Sequence, residues 1–185
     1  MENLFQPAEI ASIVLPEEKI KSRVAALGRQ ITQDYAGKRL IMVGVLKGAV
    51  PFLADLIRCV PLPLQYDFIA VASYGASTVS SGAVRMLKDL ELSVEGFDVL
   101  LVEDIIDTGL TLRYLRENLY NRHPASLRIA ALLNKPSRRG AEITADYCGF
   151  TVPDEFLVGY GLDYNQNFRN LPYVGALKRE VWQER

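Results

Sequence analysis

Histidine is nearly missing from this chain: of 185 residues, only His123 is one, and it stands before a proline in the turn-like stretch NRHPAS. A loop histidine of this kind is most often a surface residue. Its isolation excludes a histidine-rich zinc site, and a Ser-His-Asp or Cys-His triad would rest on that one loop residue. Acid–base chemistry therefore falls mainly to carboxylates, lysines or tyrosines. Cysteine is scarce too. Cys59 and Cys148 lie far apart in apolar surroundings and outside any CxxC spacing, so both read as buried reduced thiols. Neither sign of charge is in excess: 21 Lys and Arg face 22 Asp and Glu, a net charge of −1. That balance argues against a dedicated nucleic-acid binder. No apolar run reaches the length of a membrane span, and MENLFQPAEIAS lacks the basic start and apolar core of a signal peptide. The expected location is the cytoplasm.

A chain of 185 residues can build one substantial core and is short for two, so residues 1–185 are read as one domain. Ile20, Val24, Leu27, Ile31 and Tyr35 recur at spacings of three or four and predict an amphipathic helix over 16–36, with Gly37 as its stop. Leu40 to Leu46 is a continuous apolar run, the mark of a strand covered on both faces. The residues AVPFLADLIRCV predict a helix, with Pro51 tolerated in its first turn. Strand character resumes in LQYDFIAVASY, VRMLKDLEL, DVLLVE and SLRIAALLN, with LTLRYLRENLYNR helical between the last two, and FLVGYG closes the series. The stretch 75–83, GASTVSSGA, has no periodicity and is expected to be a mobile loop. The alternation predicts an α/β fold: a mostly parallel open sheet flanked by helices. Such sheets bind ligands beyond the carboxyl ends of their strands, which selects Lys47, Glu103 with Asp104, and Lys135.

The richest stretch is VLLVEDIIDTGLTL, Val99 to Leu112. It reads as strand, short loop and helix, yet contains neither GxxxxGK[ST] nor GxGxxG. Thr108, Gly109 and Thr111 can offer backbone N–H groups and hydroxyls at a helix N-terminus, where the dipole favours a phosphate. Glu103 and Asp104 would repel that phosphate if they faced it. They make sense if they reach another part of the same ligand: vicinal hydroxyls, or a divalent cation bound to them. A phosphorylated sugar satisfies both halves. The plainer alternative makes Asp107 and Thr108 helix caps and the other acids dipole-favoured first-turn residues.

These residues resemble the 5-phosphoribosyl-1-pyrophosphate (PRPP) loop of the type I phosphoribosyltransferases, and in detail that of the hypoxanthine-guanine phosphoribosyltransferases. The likeness extends through GVLKGAVPF, ASYG, LLNKPS and VPDEFLVGYGLDYNQNFRNLPYVG, in the family's order. It implies the family's fold, with a small hood built from the terminal segments. It further implies purine salvage: transfer of the phosphoribosyl group from PRPP to N9 of hypoxanthine or guanine, giving IMP or GMP and pyrophosphate, with Mg2+. By the resemblance, Glu103 and Asp104 hold the ribose hydroxyls and magnesium, Asp107 exchanges the proton at N7, and Thr108, Gly109, Leu110 and Thr111 bind the 5-phosphate. Leu46, Lys47 and Gly48 form the pyrophosphate loop, which in the family contains a cis peptide before the lysine. Ser73 and Tyr74 open a loop that closes the site. Lys135 donates to the purine O6, Phe156 stacks on the base, and Leu157 offers backbone groups to its edge. Asp163 orients a second magnesium, and Arg169 meets the pyrophosphate. Read alone, Lys135 would be a solvated loop residue and DYNQNFRN a polar turn.

Three positions depart from the family pattern. Leu110 stands where some members carry lysine, Ala49 where glycine often follows LKG, and Leu157 where the mammalian enzymes carry valine. The last leaves hypoxanthine against guanine open. A xanthine-preferring transferase and a nucleotide-binding regulatory homologue are the rival readings, the latter disfavoured by the even charge. Assembly as a homodimer or homotetramer is implied by the family's habit alone.

Overall fold

The chain is described here by a computed structural model covering residues 6–73 and 84–183. Its elements run β1 (Ile10–Leu15), α1 (Glu17–Asp34), β2 (Leu40–Leu46), α2 (Val50–Arg58), β3 (Leu64–Ser73), β4 (Val84–Lys88), β5 (Asp98–Ile106), α3 (Leu110–Tyr120), β6 (Ser126–Asn134), β7 (Tyr147–Thr151), β8 (Leu157–Val158), β9 (Val174–Leu177) and α4 (Arg179–Trp182). Six strands form the main sheet in the order β4-β3-β2-β5-β6-β7. All its pairings are parallel except β3 with β4, an antiparallel edge. The expected α/β architecture is therefore the one observed.

Each apolar run becomes a central strand because both of its faces are covered. In β2, Leu40 and Met42 join the core beneath α1 and α2, while Ile41, Val43 and Val45 join the core beneath α3. This is the period-2 alternation of a strand, hidden in sequence because both faces are apolar. Helix α1 buries Ile20, Val24, Leu27 and Ile31 along one stripe, with Glu17 and Glu18 in its first turn, where the helix dipole favours acids. Successive strands leave β2 on opposite sides, β3 on one and β5 on the other. The gap between the carboxyl ends of β2 and β5 is thus the topological switch point, where an open α/β sheet leaves a crevice.

The hood is a second, three-stranded antiparallel sheet in the order β1-β9-β8. Near-terminal strands β1 and β9 pair along their length, burying Ile10, Val158, Leu171, Tyr173 and Leu177 beneath them. Here the sequence reading needs correction. FLVGYG contributes only the two-residue β8, to the hood and not to the main sheet, because Gly159, Tyr160 and Gly161 all have positive φ and turn the chain away. The sixth strand of the main sheet is β7 instead. The two cysteines are free and half-buried, less enclosed than their surroundings suggested. His123 lies exposed in the turn after α3, as expected. Among the described residues no helix is long and apolar enough to cross a membrane. Tyr74 and the loop 75–83 lie outside the described residues.

Helices α1 and α2 meet at Gly28, where a Cβ would stand 2.5 Å from Cys59 Cβ and 2.6 Å from its carbonyl oxygen. Gly28→Ala should destabilise the fold by about 1–2 kcal/mol in urea denaturation, because overpacking outweighs alanine's better helix propensity.

Candidate active site

Strand β5 carries its apolar run through Val102 and then places Glu103 and Asp104 while still paired with β6. Backbone pairing therefore fixes both half-buried carboxylates at the floor of the crevice. Glu103 Oε2 is buried with no hydrogen-bond partner among the described residues. Burial, and then the Asp104 charge, hold the Glu103 carboxyl well above its usual range. Burial also pushes Asp104 up to about 6, although the backbone N–H of Ile105 and the Arg169 charge pull it back. The Ile105 N–H donates to Asp104 Oδ1 at 2.7 Å.

Asp104 also explains Gly48. A Cβ on Gly48 would coincide with Asp104 Oδ2, and a Cβ on Gly161 would run into the Gly48 carbonyl. The carboxylate, the loop after β2 and the hood segment are thus in contact through two residues that lack side chains. The Leu46–Lys47 peptide in that loop is cis. Lys47 reaches outward to Gln166 Oε1 at 3.4 Å. Arg169 donates to the Gly161 carbonyl at 2.7 Å, to Gln166 Oε1 at 3.3 Å and to Asp163 Oδ1 at 2.6 Å. Lys47, Asp163 and Arg169, more than a hundred residues apart in part, therefore share one polar network through Gln166.

After β5 the chain turns at Gly109, whose φ of +81° suits glycine, and α3 begins at Leu110. The cap position of α3 is Gly109, which has no side chain to cap it, and the first turn carries no acid. Asp107 makes no capping bond among the described residues, and Thr108 Oγ1 accepts only a long 3.5 Å bond from the Leu110 N–H, so the rest of the first turn stays available to an anion. Glu103, Asp107, Thr108, Gly109 and Thr111 line a small cavity of about 110 Å³ there. The Leu110 side chain is 39% exposed and turns to solvent. The segment 139–141 closes over this loop, with the N–H groups of Gly140 and Ala141 donating to the Thr108 carbonyl at 2.9 and 3.1 Å.

Next to it lies a larger cavity of about 310 Å³, into which Asp107, Lys135, Phe156, Leu157 and Asp163 converge. Lys135 is only 4% exposed; its ammonium donates to the Glu155 carbonyl at 2.8 Å and stands 3.8 Å from Asp154. A solvated loop lysine it is not. Phe156 presents an aromatic wall, its ring edge-on to Tyr164 and tilted 32° against Trp182.

Of the residues selected from sequence, Glu103, Asp107, Thr108, Gly109 and Thr111 gather at one cavity, and Asp107 recurs with Lys135, Phe156, Leu157 and Asp163 at the other. Leu46, Lys47, Gly48, Asp104 and Arg169 sit at the switch point beside them. Ser73 ends β3, opposite Val84. Sequence reasoning missed Arg138, whose Nε lies 3.7 Å from Asp107 and 3.8 Å from Asp154. It also missed Gln166 and Trp182. The basic pair Arg138-Arg139 was the one visible signal, directly after NKPS.

The carboxylates offer hard oxygen ligands, and the unpartnered Glu103 Oε2 marks a place for a hydroxyl or a cation. Among the described residues no three acidic, histidine or cysteine side chains gather into one metal-binding group. Magnesium commonly takes one or two protein carboxylates and shares the rest of its shell with water and substrate phosphates, so the pair Glu103 and Asp104 is a donor set of the kind it uses.

A crevice at the switch point, bounded by a phosphate-suited helix start and buried acids, defines a phosphoribosyltransferase, and a family model described as the phosphoribosyl transferase domain matches residues 11–165. Within that class the chain belongs to the hypoxanthine-guanine phosphoribosyltransferase family. It is 50% identical over 184 residues to the enzyme of that name from Mycobacterium avium, covering 96% of this chain and 91% of the relative. It is 52% identical over 175 residues to that of Bacillus subtilis, covering 95% and 97%. A crystal structure of a hypoxanthine phosphoribosyltransferase from Staphylococcus aureus superposes with a TM-score of 0.91 at 49% identity, covering 94% of this chain and 95% of the other.

The raised Asp104 pKa carries a stability consequence. A carboxyl held above its ordinary 3.8 at about 6 costs the fold nothing below the lower value, an increasing amount between the two, and a constant amount above. Asp104→Asn should therefore be more stable than the parent by on the order of 1–3 kcal/mol at neutral pH, without divalent cations or substrate. The difference should fade as pH falls through that window, as measured by chemical denaturation.

Proposed function

We propose that residues 1–185 form one phosphoribosyltransferase domain that salvages purines, moving the 5-phosphoribosyl group of PRPP to N9 of hypoxanthine or guanine. IMP or GMP and pyrophosphate are the products. The observation that carries the reading is Lys135, a buried ammonium in the wall of the same cavity as Asp107 and Phe156.

The 5-phosphate sits against the first turn of α3, met by backbone N–H groups and the hydroxyls of Thr108 and Thr111. Glu103 and Asp104 accept from the ribose hydroxyls, and with Asp163 they are the residues that would hold magnesium. When bound, magnesium neutralises charge on the pyrophosphate oxygens. Lys47 and Arg169 supply fixed positive charge to the same leaving group, from positions already set by Gln166 and Gly161.

The base lies against Phe156. Lys135 has three donors and no acceptor, so it favours the 6-oxo group and disfavours the 6-amino group of adenine. As pyrophosphate leaves, N9 attacks the anomeric carbon of an oxocarbenium-like centre, and Asp107 takes the proton from N7. Arg138 stands beside the carboxylate that does so. Asp107 is half-buried, and its Oδ1 has no hydrogen-bond donor among the described residues, which suits a proton acceptor.

Steady-state assays with hypoxanthine, guanine, xanthine and adenine in the presence of Mg-PRPP test the substrate reading. Turnover of hypoxanthine or guanine and none of adenine is expected; activity on adenine alone would overturn it, and a preference for xanthine would replace it with the rival. Asp107→Asn should lower kcat by about 100-fold or more while PRPP binding, followed by calorimetry, stays intact. Parental turnover in that variant would remove Asp107 from proton transfer.

A further inference from the structure

Trp182 is the one tryptophan of the chain and the last residue of α4, beyond the 11–165 span of the family match. Its ring meets Phe156 with centroids 5.5 Å apart and planes tilted by 32°, close to an offset stack. Tyr164 meets the same Phe156 ring edge-on, at 5.5 Å and 89°. Two aromatics on different elements thus fix the orientation of one phenylalanine.

The clamp is tied together through the backbone. The Tyr164 hydroxyl donates to the Val181 carbonyl at 2.9 Å, next to Trp182. The Leu177 N–H donates to the Phe156 carbonyl at 2.9 Å, and the Lys178 N–H to that of Glu9 at 2.9 Å, which anchors the start of α4 on the hood. Trp182 lines the 310 Å³ cavity that holds Asp107, Lys135 and Phe156. It also lines a neighbouring cavity of about 320 Å³, reached by Ala11, Ser12 and Lys178. The indole therefore stands as the partition between the two.

We propose that Trp182 is a positioning residue for the purine base: from α4 it holds the Phe156 ring in its stacking orientation and closes the far wall of the base cavity. The proposal rests on the reading of that cavity as the purine site. A phenylalanine free to rotate about its side-chain bonds offers a base only part-time contact, whereas one held on two sides offers a standing face. The C-terminal segment then contributes to affinity for the base and not to affinity for PRPP, whose phosphate cradle lies at α3.

A single tryptophan makes the test direct. The full chain is titrated with GMP while Trp182 emission is followed, with calorimetry on the same samples. The expected result is a change in emission that saturates with the calorimetric binding curve. In steady-state assays Trp182→Ala should raise the KM for hypoxanthine roughly tenfold, the scale of one base–aromatic contact, and leave the KM for PRPP within about twofold. Trp182→Phe should recover most of the loss. Calorimetric GMP binding with unmoved emission, or a hypoxanthine KM unchanged in Trp182→Ala, overturns the role of Trp182 while the purine reading stands. No GMP binding at all overturns both. Should the alanine variant fail to fold, the emission titration on the parent chain decides alone.

Discussion

Two half-buried carboxylates at the end of a central strand are the constraint around which the rest is arranged. Strand pairing holds Glu103 and Asp104 where water is scarce, and a charge there is costly unless donors surround it. The backbone of Ile105 and the guanidinium of Arg169 supply part of what is needed. The rest of the crevice conforms to that arrangement. Gly48 lets the loop after β2 come within contact of Asp104, and Gly161 lets the hood come within contact of Gly48. Main sheet, switch-point loop and hood are registered against one another through a carboxylate and two hydrogen atoms.

The proposed base cavity shows a different economy of charge. Lys135 and Arg138 alternate with Asp154 and Asp107 around it. On the proposed reading, an uncharged purine enters a site whose charges already compensate one another, so selectivity depends on where single donors and acceptors point and not on net attraction. At the other end of the crevice Arg169 pairs with Asp163 and acts on Asp104, and Lys47 adds a second cation there through Gln166.

Much of this was legible in the sequence, for physical reasons that differ by element. Central strands such as β2 and β5 announce themselves because burial on both faces demands unbroken apolar runs. The helix α1 does so through its stripe. Strand β1 does not: its pairing with β9 spans most of the chain and is interrupted by register shifts, so no local pattern marks it. FLVGYG looks like a core strand until the positive φ angles at 159–161 turn it. In the site, Lys135 was selected by its place at a strand end, while its role and those of Asp107, Phe156 and Asp163 came through the family resemblance. Arg138, Gln166 and Trp182 are ordinary turn or terminal residues in sequence, and only the tertiary fold gives them neighbours worth naming.

The Lys135 ammonium has a protein acceptor of its own, the carbonyl of Glu155. That bond engages one of the three N–H groups of the ammonium and leaves the others for a carbonyl on a ligand. A base presenting an amino group at that point would instead set donor against donor within a buried wall. On the proposed reading of this cavity as the purine site, the lysine is anchor and filter at once: one N–H fixes it to the wall, and the others donate to an oxygen opposite them and refuse an amino group.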